Sequence, residues 1–312
     1  MREISVFSGT AHHDLAAEIC GHLGVPLQPS IVRRFANDCL EVQLQSNCRE
    51  RDVFLIQPLA APVQERLVEL LLMLDAARGA SAARVTAVIP HYAYARSDKK
   101  SMPRVSIGGR LVADLLVTAG ASRVLTMTLH APQVHGFFSV PVDHLHALRE
   151  IAAHFSGQDL SNTVVVSPDL GNAKSAAALA RILDLPVAAG AKERLTDDRV
   201  MITSIIGDVA GHDVIVLDDE IARGTTMIEL LNRLSEHGAG TVRIACTHGL
   251  FCDGALKRIS ARPEVLQVVC TNTVAISESE RSEKLHVISV APALAEAIRR
   301  IHEGESVSAL FE

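Results

Sequence analysis

Short apolar runs rich in Val, Ile and Leu recur along the chain and alternate with longer amphipathic stretches. The runs ISVFSG, LEVQL, DVFLIQ, RVTAVIP, RVLTMTLH, TVVVSPD, DVIVLDD, TVRIACTH, VLQVVCT and KLHVISVAP predict strands. Between them, APVQERLVELLLMLDAARGA, VSIGGRLVADLLVTAGA, NAKSAAALARILDL, TTMIELLNRLSEHGAG and ALAEAIRRIHEG carry the helical period. Gly120 and Gly238 stand where two of these helices should stop, as C-caps. Strands separated by helices need crossover connections, which predicts an α/β protein built on mainly parallel sheets.

The pattern echoes itself. LVTAGASRVLTMTLHA passes from a helix end at Gly120 into a strand ending at His130, and LSEHGAGTVRIACTHG does the same from Gly238 to His248. Matched order and spacing predict two related α/β domains, with the boundary near residues 145–160, around HFSGQDLSN. At 312 residues the chain has the length for two. It is 48% hydrophobic, enough for a sizeable core, and a disordered chain is excluded. No signal-peptide layout or membrane-length apolar run is present, so a cytoplasmic protein is expected. The six cysteines are scattered without a C-x-x-C pair and read as reduced thiols, not as a disulfide framework or zinc site. A net charge of −6 and 3% aromatics argue against a nucleic-acid partner.

In open α/β sheets ligands bind beyond the carboxyl ends of strands, so the polar strand ends carry the candidate chemistry. In VIVLDDEIARGTT, Asp218 and Asp219 close an apolar run, and Gly224, Thr225 and Thr226 precede a helix. Backbone N–H groups and hydroxyls at a helix start suit a phosphate, while the acids suit sugar hydroxyls, so the pair describes a sugar-phosphate site. A plain strand-turn-cap is the bland alternative. A Walker B strand would need a P-loop upstream, which DLGNAKSA does not supply. Asp169 in TVVVSPDLGNAKSA ends another run as a candidate Mg2+ ligand, and His130 in RVLTMTLHAPQ ends a third as a candidate Mg2+ ligand or acid/base group, although a lone acid is more often an N-cap and a lone imidazole structural. Two basic stretches read as loops. One holds Arg96, Asp98, Lys99, Lys100 and Arg104, the other Lys192 and Arg194. Cations there would serve a polyphosphate, with Lys192 and Arg194 placed to act on the developing charge.

Taken together, these residues resemble the ribose-phosphate diphosphokinase (phosphoribosyl pyrophosphate synthetase) family. FSGTAHHDLA, RRFANDCLEVQL, ELLLMLDAARGASA, IPHYAYARSDKK, TLHAPQVHGFFSVPVDHL, VVSPDLG, LDDEIARGTT and the terminal SVSALF occur in the family's order. The resemblance implies an α/β fold of two tandem phosphoribosyltransferase-like domains, each a mainly parallel sheet flanked by helices. Residues 1–148 would form the ATP side and 149–312 the ribose 5-phosphate side, with the last helix able to pack on the N-terminal domain. It implies transfer of the β,γ-diphosphate of ATP to O1 of ribose 5-phosphate, with Mg2+ required. By resemblance His130 and Asp169 are the metal positions, and Lys192 and Arg194 the catalytic ones, Arg194 also serving ribose 5-phosphate. Asp218, Asp219, Ala222, Arg223, Gly224, Thr225 and Thr226 would bind ribose 5-phosphate. Phe35, Asn37, Cys39, Arg96, Ser97 and Asp98 fall on the ATP site, partly across a subunit interface. Arg49, Ser306 and Ser308 fall near a regulatory phosphate site. A homo-oligomer is implied, dimer-based and up to a hexamer, with no membrane partner.

This chain departs from the family pattern at several of these positions. Ala222-Arg223 replaces Asp-Thr after the acid pair, Thr225 replaces a glycine, and Asn37, Cys39 and Ser97 replace Asp, Glu and Gln. The expectation is a divergent, active subgroup. A regulatory homologue that co-assembles with an active synthetase, or a phosphoribosyltransferase, are the alternatives. Glu220 has no assigned task and is expected to face solvent.

Overall fold

The structure is a computed structural model that describes residues 3–194 and 200–310, the side chains of 192–194, 200, 201, 279 and 309 excepted. The chain divides into two compact units.

The first unit opens with β1 (Ile4–Ser8), α1 (His13–Leu23), β2 (Leu27–Gln28), β3 (Ser30–Arg34), β4 (Leu40–Leu44) and β5 (Asp52–Ile56). It continues through α2 (Val63–Gly79), β6 (Arg84–Ile89), α3 (Gly108–Ala119), β7 (Arg123–Met127) and β8 (Val142–Leu145). Its sheet is parallel throughout, in the order β2-β1-β5-β6-β7-β8, and β3 and β4 form a separate antiparallel hairpin. Every residue of β5 is buried, as expected of a central parallel strand covered on both faces. Phe7, Val53, Leu55, Leu70, Met73, Leu74, Leu116 and Val124 form its core.

The second unit holds α4 (Leu148–Phe155), β9 (Thr163–Ser167), α5 (Ala173–Leu183), β10 (Val187–Arg194), β11 (Val200–Ile206) and β12 (Asp213–Ile221). There follow α6 (Thr225–Glu236), β13 (Val242–Gly249), α7 (Ala255–Ser260), β14 (Val265–Thr271) and β15 (Leu285–Ile288). The sheet order is β11-β10-β9-β12-β13-β14-β15, parallel except where β10 meets β11. Leu230, Leu231 and Leu234 of α6 pack with Val214, Val216, Ile244 and Phe251.

The last helix, α8 (Ala291–Glu303), belongs to the first unit and packs on α1. Asp52, fully buried, fastens it there. The Asp52 carboxylate accepts from Arg84 Nε at 3.2 Å and lies 3.0 Å from His302 Nδ1, while Arg84 Nη2 reaches the His302 carbonyl at 3.2 Å.

All ten apolar runs form strands and all five periodic stretches form helices. The pattern did not announce α1, α4, α7, β2, β3, β8, β10 or β11. Of the stretch around Lys192, expected to be a loop, residues 195–199 lie outside the described residues and 189–194 form part of the strand β10. Its VAAGA start lacks the β-branched signature, and its pairing comes from β9 and β11.

Candidate active site

The acids of the second unit do not end their strand. β12 runs on to Ile221 and stays in register with β13, Asp218 opposite Cys246 and Glu220 opposite His248. On its other side β9 pairs only as far as Val216, so the acids lie where one neighbour has already left the sheet. That departure leaves Asp218 and Asp219 half-buried instead of sealed. Asp218 Oδ1 accepts the Asp219 N–H at 2.9 Å. Desolvation, and then the charges of Asp219 and Asp169, push the Asp218 carboxyl well above the usual carboxylate range. Glu220, expected in solvent, is buried at 8% exposure, because the strand continues through it beside β13.

After the acids the chain turns through Ala222 and Arg223 into Gly224, which sits at φ 70°, ψ 9° as the N-cap of α6. Only glycine adopts that conformation without cost, and a Cβ there would also stand 3.2 Å from Ala255 Cβ and Ile259 Cδ1. Lacking a side chain, Gly224 leaves the first turn of α6 uncapped, with Thr225 exposed and Thr226 half-buried beside it. Two residues of the next connection reach back to this turn. Arg258 Nη2 donates to the Arg223 carbonyl at 2.7 Å, and Arg223 Nε lies 3.3 Å from Asp253 Oδ2. Neither Arg258 nor Asp253 had a signal in the sequence, since both follow β13 in a stretch with no phosphate-type pattern.

Asp169 lies just past β9. Its Oδ1 accepts the Asn172 N–H at 3.1 Å, and its carbonyl accepts from Ser167 Oγ at 2.6 Å. Asn172 Nδ2 in turn donates to the Leu217 carbonyl at 2.8 Å, tying this loop to the strand that carries the acid pair. Lys192 and Arg194 lie on β10, where Lys192 stands opposite Ile202 and Arg194 opposite Val200. Their side chains lie outside the described residues.

In the first unit Phe35, Asn37 and Cys39 occupy the tip of the β3–β4 hairpin. Phe35 N–H donates to the Cys39 carbonyl at 2.8 Å, Asn37 Oδ1 accepts the Cys39 N–H at 3.3 Å, and Phe35 is 50% exposed. Arg34 holds the tip through Asp38 and Glu65. Arg96 ends a 3-10 turn, Ala93–Arg96, that follows β6. The Ser97 hydroxyl accepts the Gly108 N–H at 2.8 Å at the start of α3. A Cβ on Gly109 would meet the Tyr94 carbonyl at 2.9 Å, so the glycine pair lets the helix start seat on the turn. Asp98 accepts from Gln133 Nε2, a residue of the segment after His130. His130 is exposed three residues beyond β7. The preceding Thr128 has φ 42°, a strained value for a β-branched residue, and the Leu129 N–H donates to His144 Nε2 at 2.8 Å. His248, its counterpart in the sequence echo, lies inside β13 and is buried.

The N-terminal domain of ribose phosphate pyrophosphokinase matches residues 4–120, and the phosphoribosyl synthetase-associated domain matches residues 199–312. The ribose-phosphate pyrophosphokinase of Deinococcus radiodurans is 50% identical over 311 residues, 98% of this chain and 97% of that protein. The chain belongs to the ribose-phosphate pyrophosphokinase family. A Streptomyces coelicolor protein, named provisionally as a ribose-phosphate pyrophosphokinase, is 72% identical over 312 residues, 100% of this chain and 98% of its own. The crystal structure of phosphoribosylpyrophosphate synthetase from Mycobacterium smegmatis superposes with a TM-score of 0.91 at 39% identity, over 97% of this chain and 100% of that one.

Within this family frame the carboxylates can be tested against a divalent cation. Among the described residues no three His, Cys, Asp or Glu side chains form a ready metal cage. Mg2+ does not need one, being held by one or two carboxylates together with substrate phosphates. Asp169 raises the pKa of Asp218 through its charge, so a divalent cation would relieve repulsion among acids that already crowd each other. Hard oxygen donors of this kind fit Mg2+. No helix among the described residues is long and apolar enough to cross a membrane.

Proposed function

We propose that the chain transfers the β,γ-diphosphate of ATP to O1 of ribose 5-phosphate, forming 5-phosphoribosyl 1-pyrophosphate and AMP. The observation that carries this is the acid pair of β12 set directly before the uncapped first turn of α6, in a chain of the ribose-phosphate pyrophosphokinase family. The residues divide between two halves, an N-terminal ATP half (1–148) and a C-terminal sugar-phosphate half (149–312).

Ribose 5-phosphate would lie with its 5-phosphate against the N–H groups and hydroxyls of Ala222 to Thr226 and its ring hydroxyls donating to Asp218 and Asp219. O1 attacks the β-phosphorus of ATP and loses its proton, the bond to the α-phosphate oxygen breaks, and that oxygen leaves with AMP. Lys192 and Arg194 stabilise the charge that builds on the transferring group, where a single placed cation is worth on the order of a thousandfold. Phe35 offers a ring face to the adenine, and Asn37, Cys39, Arg96, Ser97 and Asp98 border the nucleotide, which draws the hairpin of a second subunit into the site. Asp169 in the sugar-phosphate half and His130 in the ATP half are the candidate Mg2+ positions, and a bound Mg2+ would neutralise phosphate oxygens. Positioning accounts for most of the acceleration, since the protein needs no covalent intermediate for such a transfer.

Product analysis by phosphorus NMR tests the assignment. With ATP, Mg2+ and ribose 5-phosphate, AMP and 5-phosphoribosyl 1-pyrophosphate should appear in equal amounts without ADP. Appearance of ADP would mean transfer of the γ-phosphate alone and would rule the proposal out.

A further inference from the structure

Arg258 does more at the sugar-phosphate loop than cap one carbonyl. While Nη2 holds the Arg223 carbonyl, Nη1 donates to the Asp253 carbonyl, so one guanidinium ties residues 222–224 to the turn that follows β13. That turn is left-handed, with Phe251, Asp253 and Gly254 at φ 45°, 54° and 69°, a conformation glycine takes freely and that strains Phe251. It is fixed beside the end of β12, because the Leu250 and Phe251 N–H groups both donate to the Ile221 carbonyl at 3.0 Å. Asp253 is thereby held against the loop, and its carboxylate meets Arg223 Nε.

The two side chains are 63% and 70% exposed, and a surface pair of this kind contributes at most about 1 kcal/mol to folding. Fold stability therefore gains little from the Arg223–Asp253 pair itself. Arg223 directly precedes Gly224 and the first turn of α6, so its guanidinium is tethered at the edge of the anion-binding turn. A guanidinium can bind a phosphate dianion through two parallel charge-assisted hydrogen bonds, a geometry that suits phosphate oxygens well. We propose that Asp253 sets the affinity of the loop for a sugar phosphate by competing for the Arg223 guanidinium, which turns from carboxylate to phosphate as substrate enters. The proposal rests on residues 222–226 being the 5-phosphate site.

Calorimetric titration of the full chain with ribose 5-phosphate reads binding without turnover. Wild type, Asp253→Asn, Arg223→Ala and the double variant are compared; Asn tolerates positive φ, so the turn is kept. Asp253→Asn should tighten binding about two- to fivefold, the range a surface pair can supply. Arg223→Ala should weaken it, and adding Asp253→Asn to Arg223→Ala should change nothing. Equal tightening with and without Arg223 would reveal a bare charge effect and overturn the proposal. Unchanged affinity in Arg223→Ala would overturn it too, and in both cases binding by the wild type would leave the proposed reaction standing. A wild type that binds no ribose 5-phosphate would remove the sugar-phosphate site itself and the proposal with it.

Discussion

The carboxyl of half-buried Asp218 is partly desolvated and stands beside Asp219 within reach of the charge of Asp169, so ionising it costs free energy. Its pKa is raised in the folded chain, which makes the cost absent at low pH and growing as pH rises from the unfolded carboxylate value to the folded one. Asp218→Asn keeps an oxygen for the Asp219 N–H and removes the charge. At pH 8 the variant should melt higher than wild type by about 2–4 °C, for a gain of roughly 1 kcal/mol, and the gap should close on acidification. Its KM for ribose 5-phosphate should rise at the same time, which calorimetry and steady-state kinetics check together. The cysteines offer a second reading of burial. Cys20, Cys48, Cys246 and Cys270 are buried and desolvation pushes each thiol up, whereas Cys39 and Cys252 are exposed. A raised thiol pKa means less thiolate at neutral pH. Iodoacetamide at pH 7.5 should therefore label the two exposed thiols, Cys39 and Cys252, with desolvation and Asp253 slowing the reaction at Cys252 by raising its pKa. Mass mapping should find the other four unmodified until the protein unfolds.

Single elements owe their places to a few contacts that a hydrophobic pattern cannot show. The seat of α8 depends on Asp52, a fully buried carboxylate shared by Arg84 and His302. Removing a partner from a buried charge typically costs 3–5 kcal/mol, and with His302 still present Arg84→Ala should lose about 3 kcal/mol, visible as a lower denaturant midpoint. At the start of α6, Gly224→Ala combines a left-handed conformation with a crowded Cβ. A loss of about 1–2 kcal/mol is expected, together with weaker ribose 5-phosphate binding. The acid pair and the following turn were legible because three carboxylates after an apolar run violate the pattern of a buried strand. The extension of β12 past them was not, since it depends on β13 running longer than β9. Glu220 was misplaced for that reason. β10 was missed because Ala and Gly leave its pairing to its neighbours, and the Asp253–Arg258 brace because it joins two connections far apart in sequence.

Across the whole molecule, the alternation of strands and helices was enough to predict two parallel sheets, since crossover connections leave few other arrangements. The return of α8 to the first unit is a long-range contact that no local period encodes. A site assembled from separate loops also makes the chain responsive to its ligands: at a hundred times its Kd, ribose 5-phosphate should stabilise the protein by about 2.7 kcal/mol, and a thermal scan reads this as a higher Tm. Transfer from ATP to ribose 5-phosphate, driven by the cations of β10, is read out as AMP release. Purified protein with ATP, Mg2+ and ribose 5-phosphate should release AMP, chelation of the metal should stop it, and Lys192→Ala should slow it by on the order of a thousandfold. AMP release no faster in wild type than in Lys192→Ala would show that the protein does not catalyse this transfer through Lys192.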